Sequence, residues 1–531
     1  MQPRSWHVTR APRLSLLAGG LSATLLLAGQ ASAGIQPPPA PPPTASTPPS
    51  LAGIDLRALQ RMLAITAGAP ARAPGNALPV TNCGDSGPGS LRDAVAAAAD
   101  DDTIDLTQLD CSKITLTTGA IEIGVDTLTL VGPRMLGVEI SGNDSSRVFH
   151  HTGHGAVSLR GMMVTHGRTA LDAGATGSPD GACIRSTGSV YLHDTWIKYC
   201  SANSAQSVDA VRGGAVFAAG KAIVSQSFIS DNSAYHSARQ ARGGGVYAGD
   251  GLALLSSIVS GNHTGGALGG TGGGVQAGSM SQLGSVATDG SSIKYSTIAD
   301  NEASKWGGGA YITGDARVER SAITGNQAGA TAGAYFVMAA TYPVTISNST
   351  ISGNHATTAT AAAGVGIWGN PARIHDSTIA FNTVTAAGNG STLFGTGVRV
   401  CTATLLELHN TIVANNSRDF GSGTVPDDIG GIGSSQVIGS NNLVYSHSAV
   451  AVPADTLVGI DPLLLPLDFH GAITKIHMPM PGSPVIDAGN NLSGAVTDQR
   501  GPGFARVHGG RADIGAAEYG ADTIFAHGFE F

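Results

Sequence analysis

The chain has 531 residues, 75 of them Gly and 26 Pro, and only 12% are charged. No G-X-Y period accompanies the glycine, which excludes collagen, and 42% hydrophobic residues exclude a mostly disordered chain. High glycine with low charge argues against an ordinary helical enzyme and for a β-rich chain of tight turns. The net charge of −8 makes no electrostatic case for binding nucleic acid.

Arg4, Arg10 and Arg13 form a basic n-region, Leu14–Ala28 an apolar h-region and Ala31-Ser32-Ala33 an A-x-A site. This predicts a secretory signal peptide over residues 1–33, cleaved between Ala33 and Gly34. Cleavage removes three arginines and no acid, taking the charge to −11. No later apolar run has the length of a membrane helix. The expectation is export through the inner membrane, to the outer surface or the medium, with the periplasm as the alternative. Residues 34–50 hold eight prolines and read as a polyproline spacer. Residues 51–79 read as a short helical and linker segment, with Ile54, Leu59, Met62 and Leu63 on one face of a helix over 54–65.

Residues 80–130 read as an N-terminal cap. Ser90 and Asp93 have the spacing of a capping box, predicting a helix over 90–100 that buries Leu91 and Val95. Strand-like runs follow at 114–117, 121–123 and 127–131.

A repeat then decides the fold. Ser-x-[Ile/Val]-x-x-Asn recurs in copies ending at Asn232, Asn262, Asn301, Asn326, Asn354, Asn382 and Asn415, with steps of 30, 39, 25, 28, 28 and 33 residues. Thr195-Trp-Ile-Lys-Tyr-Cys200 is a further copy with Cys in the Asn place. Between the copies runs a second beat, Gly213-Gly-Ala-Val216, Gly243-Gly-Gly-Val246, Gly272-Gly-Gly-Val275 and Gly307-Gly-Gly-Ala310. Periods of this length mean a solenoid or a propeller. Short β-branched runs give no 3.6-residue pattern, and steps this uneven suit a coil whose excess length loops out. A parallel β-helix over 131–450 fits, with about 11 coils stacked roughly 4.8 Å apart. The repeated Ile or Val would point inward. The repeated Asn would hold a left-handed corner and bond to the Asn one coil on. The Ser and Thr before the Ile would face outward.

Five cysteines remain: Cys83, Cys111, Cys183, Cys200 and Cys401. Export permits disulfides. Cys83 with Cys111 and Cys183 with Cys200 are the nearest pairs, although spacing alone leaves the connectivity open. Cys401 is left over, as a buried thiol or an intermolecular partner. There is no C-x-x-C, no Cys/His cluster and no calcium-type nonapeptide, so no metal and no cofactor is expected.

Asn82-Cys83-Gly-Asp-Ser-Gly-Pro-Gly-Ser90-Leu91-Arg92-Asp93-Ala94-Val95, followed by Asp102-Thr-Ile-Asp-Leu106, resembles the CSLREA-type N-terminal region of secreted bacterial β-helix proteins. Gly89 stands for that motif's Cys and Asp93 for its Glu. Asp461-Pro-Leu-Leu, Pro481-Gly-Ser-Pro-Val-Ile-Asp-Ala-Gly489, Asp498-Gln-Arg-Gly501 and Ala512-Asp-Ile-Gly-Ala-Ala-Glu518 resemble the choice-of-anchor Q domain, here over 451–519. The resemblance implies an all-β, right-handed parallel β-helix of the pectate-lyase type with a helical N-terminal cap, exported and surface-associated. It carries no catalytic motif with it. The ending Ile524-Phe-Ala-His-Gly-Phe-Glu-Phe531 is similar to a short sorting tail of some exported proteins, which makes 520–531 a candidate sorting signal; a last strand or a hydrophobic plug is the alternative.

Glycoside hydrolysis needs two carboxylates on one cleft. Gly153-His154-Gly155 is similar to the Gly-His-Gly of polygalacturonases, but their Asn-Thr-Asp and Arg-Ile-Lys are missing. The candidates for lyase or hydrolase chemistry are the cluster Asp315, Arg317, Glu319 and Arg320, and the pairs His193-Asp194 and His375-Asp376. Each is weighed against a solvated surface. The reading is a non-catalytic β-helix acting in adhesion or in binding a polysaccharide or cell-surface glycan. The alternative is a lyase or hydrolase of an acidic polysaccharide. The sequence sets no oligomeric state.

Overall fold

A computed structural model describes residues 75–521 apart from 172–176, 206–209, 279–289, 338–342, 359–361, 370, 387–394, 402–403, 420, 422 and 433. The signal peptide with its Ala33/Gly34 site, the proline-rich segment, the helix over 54–65 and the tail from Ile524 lie outside the described residues.

The chain is an all-β parallel β-solenoid. Each coil gives two consecutive strands to a 24-stranded sheet and one strand to a 12-stranded sheet, and a further 10-stranded sheet closes the turn. Pairing is parallel from coil to coil, as in Phe228–Ser230 on Ile258–Ser260 and Val216–Ala218 on Val246–Ala248. The repeated Ile or Val points inward, and Ile197, Ile229, Val259, Ile298, Ile323, Ile351, Ile379 and Val413 are all fully buried. This continuous apolar stack is the main source of stability, since burial of a large aliphatic side chain is worth roughly 1.5–3 kcal/mol.

The Asn amides form a buried ladder. Nδ2 of Asn232, Asn262, Asn301, Asn326 and Asn354 each donates to Oδ1 of the next Asn, at 2.8–3.0 Å. Three details differ from the sequence reading. The left-handed residue is the one before the Asn, as at Asp231, Asp300 and Phe381 with φ of 56–58°; the Asn itself turns its amide inward to satisfy backbone. The last rung is Asn416 rather than Asn415: Asn382 Nδ2 donates to Asn416 Oδ1 at 2.8 Å, while Asn415 takes the left-handed corner at φ 60°. Ser of the repeat does not face outward. Ser227, Ser257, Ser296, Ser321, Ser349 and Ser377 are buried, and each hydroxyl accepts from the N–H one coil before, as Ser257 Oγ does from Ser227 at 3.2 Å.

The glycine beat makes room for this ladder. Gly243 turns the corner at φ +66°, and a Cβ on Gly245 would stand 3.1 Å from Asn262 Cγ. In the first repeat coil Cys183 and Cys200 replace the Gly and the Asn, and they are joined by a disulfide. Cys83 pairs with Cys111, and Cys401 is a buried free thiol.

Parallel pairing begins at Ala77–Pro79 on Asp102–Asp105, so residues read as a cap already run in the sheets of the coils. The helix is short, Leu91–Ala96 (α1). Ser90 Oγ accepts from Asp93 N–H at 3.2 Å, but Asp93 Oδ1 accepts from Gly87 N–H instead of closing the box. Leu91, Ala94 and Val95 of α1 join the main core.

The C-terminal segment returns along the coils. Leu464, Val485 and Ile514 pack on Ala380, Ile412, Ala414 and Leu443. Gln499 accepts from Thr350 Oγ1 at 2.7 Å, and His477 Nε2 lies 2.8 Å from Ser352 Oγ. Under this strap the strands Ala322–Thr324, Thr350–Ser352, Thr378–Ala380 and Ile412–Ala414 are buried on both faces. The uncovered Ile258–Ser260 and Thr297–Ala299 bury only the middle residue. Among the described residues no helix is long and apolar enough to cross a membrane.

Candidate functional site

The two His-Asp pairs occupy one corner of the coil. His375 ends the strand Ala372–His375 of the 24-stranded sheet, whereas His193 lies within the longer strand Ser189–Lys198, and the Asp that follows each, Asp376 and Asp194, takes left-handed backbone at φ 51°. Their surroundings differ. His193 Nδ1 lies 3.0 Å from Ser225 Oγ, and Asp194 accepts from Met135 N–H at 3.2 Å, so that pair faces apart. His375 Nδ1 instead lies 3.4 Å from Asp376 Oδ2. The strap closes over this second pair.

A half-open pocket of about 240 Å³ results, lined by His375, Asp376, His409, Asn410, Asn490, Leu492 and Ser493. His409 stacks on His375 in register. Asp376 is buried, and its Oδ1 accepts from Asn410 Nδ2 at 2.8 Å and Arg506 Nη2 at 3.3 Å. Burial would raise its pKa, but His375, Arg506, Ser493 and Asn410 outweigh it and hold the carboxyl below its ordinary value. The pocket thus offers an oriented carboxylate behind a half-buried imidazole.

The other cluster holds together only in part. Arg320 donates to Glu319 Oε1 at 3.2 Å, but Glu319 also pairs with Lys294 at 3.1 Å, Arg320 reaches the strap, donating to Thr497 Oγ1 at 3.0 Å, and Arg317 is exposed on a strand face. Asp315 Oδ1 is buried without a hydrogen-bond partner. These four residues form no common cleft. Among the described residues no group of His, Cys, Asp or Glu is placed to hold a metal.

The most extended feature was missed in the sequence. On the outer face of the 12-stranded sheet, Glu122, His150, Arg185, Phe217, Tyr247, Gln276, Tyr311 and Tyr335 stand in register on successive coils. The 3-stranded sheet runs beside them and brings Arg212 and Arg242 alongside. The Phe217 and Tyr247 rings stack at 5.6 Å, and Tyr335 stacks with Trp306 at 6.3 Å. Arg212 lies over Phe217 at 4.8 Å and over Tyr247 at 5.8 Å. Phe217 and Tyr247 are only 4–5% exposed, so this face presents the guanidinium groups of Arg185 and Arg212 held on aromatic rings. The signal was available: each aromatic follows the apolar residue of the glycine beat, as in Gly213-Gly-Ala-Val-Phe217 and Gly243-Gly-Gly-Val-Tyr247.

No family model matches the chain, and no curated protein matches it. Among solved structures it is similar to the crystal structure of pectate lyase Pel9A, at 15% identity over 84% of this chain and 97% of that chain, with a TM-score of 0.39.

Proposed function

We propose that the chain is an exported β-helix protein that binds carbohydrate along a side face, at the cell surface or outside the cell, without transforming it. The guanidinium groups of Arg185, Arg212 and Arg242, partly exposed on successive coils beside the buried column Phe217, Tyr247, Gln276 and Tyr311, carry this reading. They repeat a planar cation at the coil spacing, a surface suited to a repeating polymer. The signal-peptide pattern and the CSLREA-type and choice-of-anchor Q resemblances support export and surface residence, and two disulfides accord with an oxidising compartment. The test is a glycan array run with the mature protein, beside reducing-end and unsaturated-product assays on acidic polysaccharides. Retention of glycan without product is expected, and product release would overturn the reading. Deleting residues 524–531 tests the sorting tail; unchanged localisation would refute it.

The pocket favours a second reading, a polysaccharide lyase or hydrolase. His375 backed by the anionic Asp376 has the arrangement of a proton-transfer pair. On that reading His375→Gln abolishes product release while glycan retention along the arginine face persists.

A further inference from the structure

The cations of this face are not balanced one for one. Arg212 is ion-paired, its Nη2 lying 2.7 Å from Asp180 Oδ2. Arg185 instead donates from Nη1 to His150 Nε2 at 2.9 Å, and His150 Nδ1 faces Glu122 Oε2 at 2.7 Å. An imidazole that accepts from a guanidinium is neutral, and burial together with Arg147 and Arg185 outweighs Glu122 to keep His150 below its ordinary pKa. Arg185 Nε is buried and has no hydrogen-bond partner. Arg242 donates from Nη2 to the neutral Gln240 Oε1 at 2.8 Å. Among the described residues neither Arg185 nor Arg242 has a carboxylate partner. A third guanidinium, Arg147, lies nearby, where burial and the Arg185 charge push it down to about 10 against the pull of Asp180 and Glu122.

Such an excess of positive charge is costly on partly buried side chains unless an anion completes it. Geometry sets how that anion would sit. Arg185 lies 5.8 Å from the Phe217 ring centroid, which restrains its plane. Arg242 enters the coil of Tyr247, two coil steps from Arg185, or about 10 Å along the axis. Between them lies the stacked pair Phe217 and Tyr247 under Arg212.

We propose that Arg185 and Arg242 are anion subsites, each taking one carboxylate or sulfate of a polyanionic saccharide laid along this face. This names the ligand class of the side-face binding proposed above and rests on it. A planar guanidinium matches either oxyanion with two parallel hydrogen bonds.

The test titrates the mature protein with an oligogalacturonate, its neutral methyl ester and a sulfated galactan oligosaccharide, each at two salt concentrations. Arg185→Gln and Arg242→Gln are compared with wild type, and Arg373→Gln, on another sheet, is the control. The expected result is a loss of about tenfold or more in affinity for an acidic oligosaccharide in each subsite variant, a shallower salt dependence, and unchanged binding of the control. The preferred arm, carboxylate or sulfate, identifies the oxyanion. Wild-type affinity in both subsite variants would overturn the subsites and leave side-face binding standing. If no saccharide binds wild type, side-face binding falls, and inorganic sulfate decides the subsites. A sulfate-induced rise in thermal midpoint that Arg185→Gln lacks supports them, and an equal rise overturns them. Arg185→Lys, which keeps the charge, should keep part of the affinity and shows that loss in Arg185→Gln is not misfolding.

Discussion

Arg506 donates from Nη2 to Oδ1 of Asp376 at 3.3 Å, joining two buried side chains 130 residues apart. One belongs to a corner of the coils and the other to the returning strap, so the bond fixes the strap where the His375 pocket forms. Arg506 also donates to the Asp513 carbonyl at 2.7 Å and stands 3.6 Å from Glu518 Oε2. It is the only described cation within ion-pair distance of the Asp376 carboxylate besides the adjacent His375.

Arg506→Met should therefore be severely destabilising, by about 3–5 kcal/mol, because it strands a buried anion rather than merely removing a contact. Replacing both partners, as Arg506→Met with Asp376→Leu, should cost less than the single change. Denaturant midpoints of the two variants test this, with limited proteolysis reporting release of residues 463–521. An equal loss in both would refute the account.

A second prediction concerns the ladder. Asn354 accepts from the backbone N–H and the Nδ2 of Asn326, and donates to Asn382 Oδ1 and the Ile323 carbonyl. Asn354→Ala leaves buried donors of Asn326 without an acceptor, at about 1–3 kcal/mol each. The exposed Arg317→Ala should stay within about 0.5 kcal/mol of wild type. Urea denaturation of the two variants measures the contrast.

The ladder also shows what the sequence could disclose. The Ser-to-Asn interval and the inward Ile expose the coil because every copy meets the same neighbours. At the last copy two alignments compete, since Ile412-Val413 and Asn415-Asn416 are both doublets. Register places Val413 on Ile379, which selects Asn416; matching His409 to His375 would have chosen it too. The early coils lack the motif, because strands such as Lys113–Thr115 and Glu139–Ser141 precede the first ladder rung. The Arg506–Asp376 bond has no local pattern to betray it. It depends on a strap without regular strands, docking on residues far away in sequence. The arginine face was legible in principle, but its aromatics emerge only when the glycine beats are aligned and the residue after the apolar position is followed.

The strap should loosen in acid. His477 is buried, with Nδ1 2.7 Å from the Leu465 carbonyl and Nε2 2.8 Å from Ser352 Oγ, a pairing that suits the neutral ring. Burial lowers its pKa below 6.5, against the backbone bond to Leu465. The unfolded state then takes up a proton before the folded state does. This contribution to stability is complete above about pH 6.5 and is lost as pH falls toward the depressed folded value. His477→Gln can still donate to Leu465 and accept from Ser352, so its stability should fall less between pH 7.5 and 5.5 than that of wild type. Parallel curves for the two proteins would reject the mechanism.

Cys183 and Cys200 sit where later coils place a Gly against a ladder Asn. Cys183 N–H pairs with the Ala215 carbonyl, and Cys200 N–H donates to Asn232 Oδ1 at 2.9 Å, as an Asn at that rung would. The disulfide is thus a covalent substitute for one rung. Cys183→Ser with Cys200→Ser should cost about 2–4 kcal/mol, the usual contribution of a disulfide closing a loop of this size. Cys183→Gly with Cys200→Asn should cost less. It clears the space that Gly245 clears for Asn262, and the new amide can donate to Asn232 Oδ1 and to the Val164 carbonyl, the position that matches Ile197 for Asn232. A net hydrogen bond is worth about 1 kcal/mol, so the Gly/Asn pair should recover part of the lost midpoint in thermal denaturation. If it is no more stable than the Ser/Ser pair, the rung is not equivalent, and the bridge acts only by closing its loop.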